Sequence, residues 1–126
     1  MKMIIGGSYQ GQLQWAQERY TDITWIDGTS CPLEAVFSCQ GIYDFHILIR
    51  RMLQNNKDFL AKEFADKLIQ ENPELIIVSN EIGYGLVPIG SFERMYREVT
   101  GRICTELAAF SDEVTRVVLG ISTRIK

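Results

Sequence analysis

The chain has 126 residues and a formal net charge of −3 at pH 7. This length can bury one hydrophobic core, and a composition of 46% hydrophobic and 23% charged residues excludes a disordered chain. The acidic balance argues against a nucleic-acid partner, and no apolar run approaches the roughly 18 residues of a membrane span.

The three cysteines, Cys31, Cys39 and Cys104, are odd in number and lack CxxC spacing. This pattern predicts free thiols in a reducing cytoplasm rather than disulfides. With one histidine and no clustered cysteines, we expect no structural zinc site, and we assign no residue as a metal ligand. The apolar residues 1–5 are too few for a signal peptide.

The N-terminal third alternates between two periodicities. Residues 1–5 form an apolar run that stops at Gly6 and Gly7, which predicts a buried strand and a glycine turn. Helical spacing then predicts a helix from Gly11 to about Tyr20. Residues 23–26 are rich in β-formers and end at an Asp-Gly turn signal, which predicts a second strand.

Residues 29–41 are ambiguous between helix and strand. Pro32 is suited to the first position of a short helix, which Gly41 would end. Helical spacing follows in residues 45–53, closing at residues 55–56, and again in residues 59–69, closing at Asn72. The continuous run at residues 75–78 predicts a strand buried on both faces of a parallel sheet.

After a glycine-rich loop, Ser91 is predicted to cap a long helix whose apolar stripe reaches Leu107. Residues 114–121 predict the last strong strand, and Ile125 a short extension. Strands alternate with helices throughout. We therefore predict an α/β fold: a mostly parallel sheet flanked by helices, in a single domain covering residues 1–126. Ligands of such sheets bind beyond the carboxyl ends of the strands.

The loop after the first strand matches half of the phosphate-loop pattern GxxxxGK[ST]. Its residues are Gly6, Gly7, Ser8, Tyr9, Gln10, Gly11 and Gln12. Backbone N–H groups at the start of the following helix can bind an anion there. However, Gln12 occupies the position of the lysine and Leu13 that of the hydroxyl that holds magnesium.

Losing a hydrogen bond to a charged group costs about 1.5–3 kcal/mol. Gln12 can still donate a neutral hydrogen bond, whereas Leu13 cannot bind magnesium. The pattern alone leaves two interpretations, a phosphate site without its own cation and a tight strand-to-helix turn.

Two further positions are candidates for chemistry. Glu81 follows a predicted buried strand, where it could position magnesium, orient a hydroxyl or hold a ribose; the alternative is a solvated loop carboxylate. His46 and Arg50 are four residues apart on a helix, so they share a face and could contact a phosphate. The alternative is a packed or surface histidine.

The segment NEIGYGLVP at residues 80–88 resembles the NEVGxGIVP segment of the bifunctional adenosylcobinamide kinase / adenosylcobinamide-phosphate guanylyltransferase family. The resemblance continues through Arg94, Arg97 and Arg102 to residues 117–121 at the end of the chain. The glycine loop falls where that family has its GGARSGKS-type phosphate loop. The resemblance covers about the first twenty and the last fifty residues.

This resemblance implies a phosphate-loop NTPase-like fold and a role in cobalamin biosynthesis. It implies phosphorylation of a corrinoid with GTP or ATP, followed by transfer of GMP through a guanylylated histidine. It also implies a homo-oligomer. The loop lysine and hydroxyl are replaced, the stretch after the second strand is shorter, and the histidine-containing helix has no clear counterpart. The guanylylation role is therefore not assigned to His46, and the alternative is a non-catalytic nucleotide- or anion-binding module.

Overall fold

A computed structural model describes residues 1–82 and 90–126 of the chain. The elements within these residues alternate between strand and helix. They are β1 (Lys2–Gly6), α1 (Gln12–Arg19), β2 (Trp25–Asp27), a 3-10 helix (Leu33–Phe37), β3 (Gly41–Tyr43), α2 (Phe45–Asn55), α3 (Ala61–Glu71), β4 (Ile76–Asn80), α4 (Ser91–Phe110), β5 (Glu113–Val118) and β6 (Ile121–Arg124).

The strands form one sheet in the order β2-β3-β4-β1-β5-β6. All neighbouring pairs are parallel except β5 and β6, which are antiparallel. In the centre of the sheet, Ile4 of β1 lies between Val78 of β4 and Thr115 of β5. The prediction of an α/β fold with a mostly parallel sheet flanked by helices is confirmed.

The two faces of the sheet are covered unequally. Helix α1 packs on one face, where Ala16 joins Ile4, Val78 and Val117 in a small cluster. Helices α2, α3 and α4 build a larger core on the other face, which includes the fully buried Phe45. Since β1 is covered on both faces, its carboxyl end is fixed from both sides.

The ambiguous stretch 29–41 resolves into a five-residue 3-10 helix and a separate strand. Pro32 precedes this helix instead of opening it, and Gly41 begins β3 instead of ending a helix. A Cβ on Gly41 would lie 2.7 Å from Cε3 of the Trp25 ring. The glycine therefore allows two short strands to pack closely, a requirement that its sequence context does not reveal.

The prediction of one last strand over residues 114–121 was wrong, because a turn divides it. Leu119 and Gly120 have φ angles of 53° and 75°, so the chain reverses there into β6. Two consecutive positive φ angles suit the right-handed twist of a two-residue hairpin. The predicted cap of the long helix is also shifted: Gly90 holds the N-cap position and Ser91 is the first residue of α4.

Within residues 1–82 and 90–126, no helix combines the length and the apolar character needed to cross a membrane.

Candidate functional site

A cavity of about 380 Å³ lies at the carboxyl edge of the sheet. One wall is the glycine loop with the first turn of α1, and the other is formed by the ends of β3 and β4. The described lining residues include Ser8, Tyr9, Gly11, Gln12, Tyr43, Asp44, Ser79 and Asn80. The predicted loop is therefore placed at the edge where ligands of parallel sheets bind.

The N-terminus of α1 faces this cavity without a side-chain cap. Gly11 is the N-cap residue of α1 and has a φ of 89°. No side chain caps the N-terminus of α1, and the first turn contains no acidic residue. A residue with a Cβ is strained in that conformation. The first N–H groups of a helix and the positive end of its dipole together favour a bound anion.

Gln12 holds the glycine loop against β4. Its side chain is buried, and Nε2 lies 2.9 Å from the Gly7 carbonyl oxygen and 2.7 Å from Oδ1 of Asn80. A longer contact of 3.3 Å reaches the carbonyl oxygen of Gly6. The position that carries lysine in a complete phosphate loop is thus occupied by a neutral amide that donates to the loop itself.

The hairpin between β5 and β6 supports the loop from its other side. The N–H of Gly120 donates to the Gln10 carbonyl at 2.8 Å, and the N–H of Leu119 donates to Oε1 of the same glutamine at 2.8 Å. A Cβ on Gly11 would lie 3.4 Å from Cα of Gly120. The glycine loop is therefore held on one side by the Gln12 side chain and on the other by backbone N–H groups of the hairpin.

Glu81 lies on the side of the sheet that carries α4. Its N–H donates to the carbonyl of Gly6 at 2.7 Å, which extends the contact between β4 and β1. Its carboxylate accepts hydrogen bonds from Arg116, with an Nε–Oε1 distance of 2.9 Å. The rest of the NEIGYGLVP segment, including Gly83, Gly85 and Pro88, lies outside the described residues.

His46 and Arg50 contact different protein groups. His46 is buried, its Nδ1 accepts a hydrogen bond from the Asn80 N–H at 3.2 Å, and its carbonyl accepts one from the Tyr96 hydroxyl. The guanidinium of Arg50 forms a bidentate salt bridge with the Glu93 carboxylate, in which Nη1 lies 2.9 Å from Oε2. Their joint contact with a phosphate stays a prediction.

The single histidine gives the protein a pH dependence that can be measured cleanly. Burial lowers the pKa of His46 below its usual 6.5. The unfolded chain therefore binds a proton in a pH range where the folded chain does not, so stability falls as the pH drops through about 6.5. We expect the free energy of unfolding in urea to decrease between about pH 7 and pH 5.

The matched variant for that measurement is His46→Asn, whose Oδ1 can accept the Asn80 N–H but does not titrate in this range. Its stability should change less over the same pH interval. Equal slopes for the two proteins would contradict the assignment of the pH dependence to His46.

Sequence reasoning gave no role to Asp44, which lies in the cavity wall opposite the glycine loop. Its φ of 50° is unusual for a residue with a side chain, and its carboxylate makes no capping bond to α2. The available signal was an aspartate directly before a predicted helix. It was missed because the three-residue strand β3 was not recognised.

The lining fits a phosphate group better than it fits a magnesium ion. The uncapped end of α1 can bind an anion, whereas Leu13 has no side-chain oxygen. Asp44 is the one carboxylate among the described residues of the cavity wall, and the described part of the chain has no cluster of three or more potential metal ligands. A magnesium ion here would depend on Asp44 and on oxygens of the bound phosphates.

Comparison with known proteins gives a family match and two relatives. Residues 29–125 match the family described as cobinamide kinase / cobinamide phosphate guanyltransferase. A 53-residue stretch is 43% identical to the bifunctional adenosylcobalamin biosynthesis protein CobU of Salmonella typhimurium and 42% identical to that of Escherichia coli. This stretch covers 42% of the present chain and 29% of the length of each relative. The glycine loop precedes the region matched by the family.

Proposed function

Because this chain belongs to the cobinamide kinase / cobinamide phosphate guanyltransferase family, we propose that it binds a nucleotide and acts in cobalamin biosynthesis. The match over residues 29–125 is the observation that carries the proposal. The substrate class is a corrinoid of the cobinamide type. The protein would work as a cytoplasmic homo-oligomer without nucleic acid.

The phosphates of GTP or ATP would bind in the cavity between the glycine loop and Asp44. The N-terminus of α1 supports this placement, because its N–H groups have no side-chain cap. Gln12 would maintain the loop conformation through its bonds to Gly7 and Asn80. Phosphoryl transfer depends on positioning and on neutralising charge, and the loop contributes positioning. Glu81 stays a candidate for assisting at the neighbouring strand end.

The direct test is calorimetric titration with GTP and with ATP, each with and without magnesium, followed by a kinase assay on cobinamide. The matched pair of variants is Gly11→Ala, which is strained at a φ of 89°, and Gly90→Ala at the start of α4. Among the described residues, the nearest atom to a Cβ on Gly90 is Cγ of Glu93 at 4.0 Å, so this variant meets no clash there. Binding by the natural protein and Gly90→Ala, but not by Gly11→Ala, is expected. Absence of binding at millimolar nucleotide would overturn the proposal.

A second candidate function is a non-catalytic module that holds a nucleotide or another anion. The observation that favours it is the use of Gln12 as an internal donor where a catalytic loop has a free lysine. Turnover by the natural protein would exclude this alternative. Binding without turnover, together with activity in a variant that carries Gln12→Lys and Leu13→Ser, would establish it.

A further inference from the structure

A cavity of about 390 Å³ lies on the face of the sheet opposite α1, between the 3-10 helix, the end of α2 and the start of α3. We call it the Phe59 pocket. Its apolar wall is formed by Leu33, Phe37, Met52, Phe59 and Phe64. The described linings of this pocket and of the phosphate-binding cavity have no residue in common. Its volume lies in the range of small-molecule binding sites.

Three phenyl rings line the pocket, with Phe64 between the other two. The Phe37 ring meets the Phe64 ring edge to face, with centroids 5.8 Å apart, and the centroids of Phe59 and Phe64 are 5.3 Å apart. Phe64 is buried, whereas Phe37 and Phe59 are half-buried. Part of the Phe37 and Phe59 rings is therefore open to the pocket and can pack against an apolar molecule.

One ring of the pocket already holds a cation. Nζ of Lys67 lies 4.3 Å from the centroid of Phe37, within the distance of a cation–π interaction. The same Nζ lies 4.0 Å from Oε2 of Glu71, one turn further along α3. This contact indicates that a positive charge is favourable beside these rings. Among the described residues, no cation lies over Phe59.

The rim of the pocket carries three carboxylates, from Glu34, Asp58 and Glu63, against the one ammonium group of Lys67. All three acidic residues are exposed. None of them forms an ion pair within residues 1–82 and 90–126. The charge of this lining is therefore negative and complements a positively charged ligand.

The combination of rings and carboxylates distinguishes between kinds of ion. The rim repels an anion. The described residues contain no group of three or more potential ligands that could hold a metal ion, so the three carboxylates do not form a metal site. An inorganic cation also gains little from the apolar wall, because it holds its water strongly. A cation with an apolar body uses both the rim and the wall.

We propose that the Phe59 pocket binds a small organic cation, an ammonium group attached to an aromatic body. The body would pack against Phe37 and Phe59, and the ammonium group would lie at the rim beside Asp58 and Glu63. This site rests on its own residues and does not depend on the proposed function.

The test is an NMR titration of the ¹⁵N-labelled protein with phenethylammonium, compared with the neutral phenethyl alcohol and the anionic phenylacetate. Saturable shifts of the Glu34, Phe59 and Glu63 amide signals are expected, while those of residues 8–13 stay in place. The cation should bind about tenfold more tightly than the alcohol, because it adds ion pairs at the rim and a cation–π contact. Phenylacetate should bind least tightly.

The variant that separates charge from shape carries Asp58→Asn and Glu63→Gln. Its affinity for the cation should fall about fivefold, whereas its affinity for the alcohol stays unchanged. The matched control carries Glu18→Gln and Asp22→Asn, which remove the same charge from exposed residues outside the pocket. This control should bind all three probes like the natural protein.

The variant Phe59→Leu tests the aromatic wall, because it keeps an apolar side chain and removes the ring. Its affinity for phenethylammonium should fall about two- to fivefold, the usual size of an exposed cation–π contact. Thermal unfolding, followed by circular dichroism, shows in parallel that the variant is folded at the temperature of the titration.

Three results would overturn the proposal: no saturable shifts in the pocket at the highest soluble concentration of phenethylammonium, equal affinity for the cation and the alcohol, or unchanged binding of the cation by the variant without Asp58 and Glu63. Cation binding without nucleotide binding would refute only the proposed function. Nucleotide binding without cation binding would refute only the Phe59 pocket.

Discussion

Replacing Gln12 with lysine and Leu13 with serine in one variant is expected to tighten GTP binding by about ten- to a hundredfold in the presence of magnesium. The lysine supplies a charge-assisted hydrogen bond to phosphate, worth about 1.5–3 kcal/mol, and the serine supplies an oxygen for magnesium. Both positions line the cavity at the start of α1. Calorimetric titration measures the change directly.

The matched control is Gln14→Lys, which adds the same charge to the cavity wall outside the loop. It should improve binding much less, because the Gln14 side chain is exposed and directed toward Glu18, where an added charge is more fully screened by water. Gln12→Lys also removes the contacts to Gly7 and Asn80, so thermal unfolding is measured in parallel. An equal gain in the double variant and in Gln14→Lys would contradict phosphate binding on the glycine loop.

Phe45→Ala is expected to lower the free energy of unfolding by about 3–5 kcal/mol, the usual range for an aromatic side chain lost from a packed core. Phe45 is fully buried and stacks on Phe64 of α3, with ring centroids 6.3 Å apart. It begins α2 directly after Asp44. The variant should therefore also displace Asp44 in the cavity wall.

Urea denaturation monitored by circular dichroism gives the size of this loss. Phe110→Ala is the matched control, because Phe110 is 42% exposed at the end of α4. Its expected effect is within about 0.5 kcal/mol. Similar losses for the two variants would contradict the placement of Phe45 in the central core.

The long apolar patterns predicted the fold well. Residues 1–5 and 75–78 were predicted as buried strands, and they became the paired central strands β1 and β4. The stripe ending at Leu107 predicted α4, because a periodic pattern over many residues outweighs local irregularities. The fold class follows from these central elements, because their apolar runs are long enough to predict a strand or a helix.

The short elements could not be predicted in the same way. β3 has three residues, too few for a periodicity, and its glycine is explained by the Trp25 ring across the strand pair. The turn places Leu119 at a positive φ, which is unfavourable for a leucine. The N–H of Leu119 donates to the Gln10 side chain in this conformation. Both features depend on contacts between residues far apart in the chain.

The candidate site was predicted in part. The glycine loop was placed correctly at the sheet edge from its spacing between a strand and a helix. Asp44 was missed because the short strand β3 that precedes it was not predicted. The ion pair between Glu81 and Arg116 was also missed, because the sequence does not show that the strands carrying them lie close together. The internal hydrogen bonds of Gln12 likewise need Asn80, which lies 68 residues away.

The central claim is that the glycine loop binds the phosphates of a nucleotide, and the chemical shifts of its backbone amides test this most directly. Titrating ¹⁵N-labelled protein with GTP should shift the amide signals of residues 8–13 and of Asp44, while those of α3 stay in place. Unchanged signals in the loop at millimolar GTP, or shifts confined to another part of the molecule, would contradict the account.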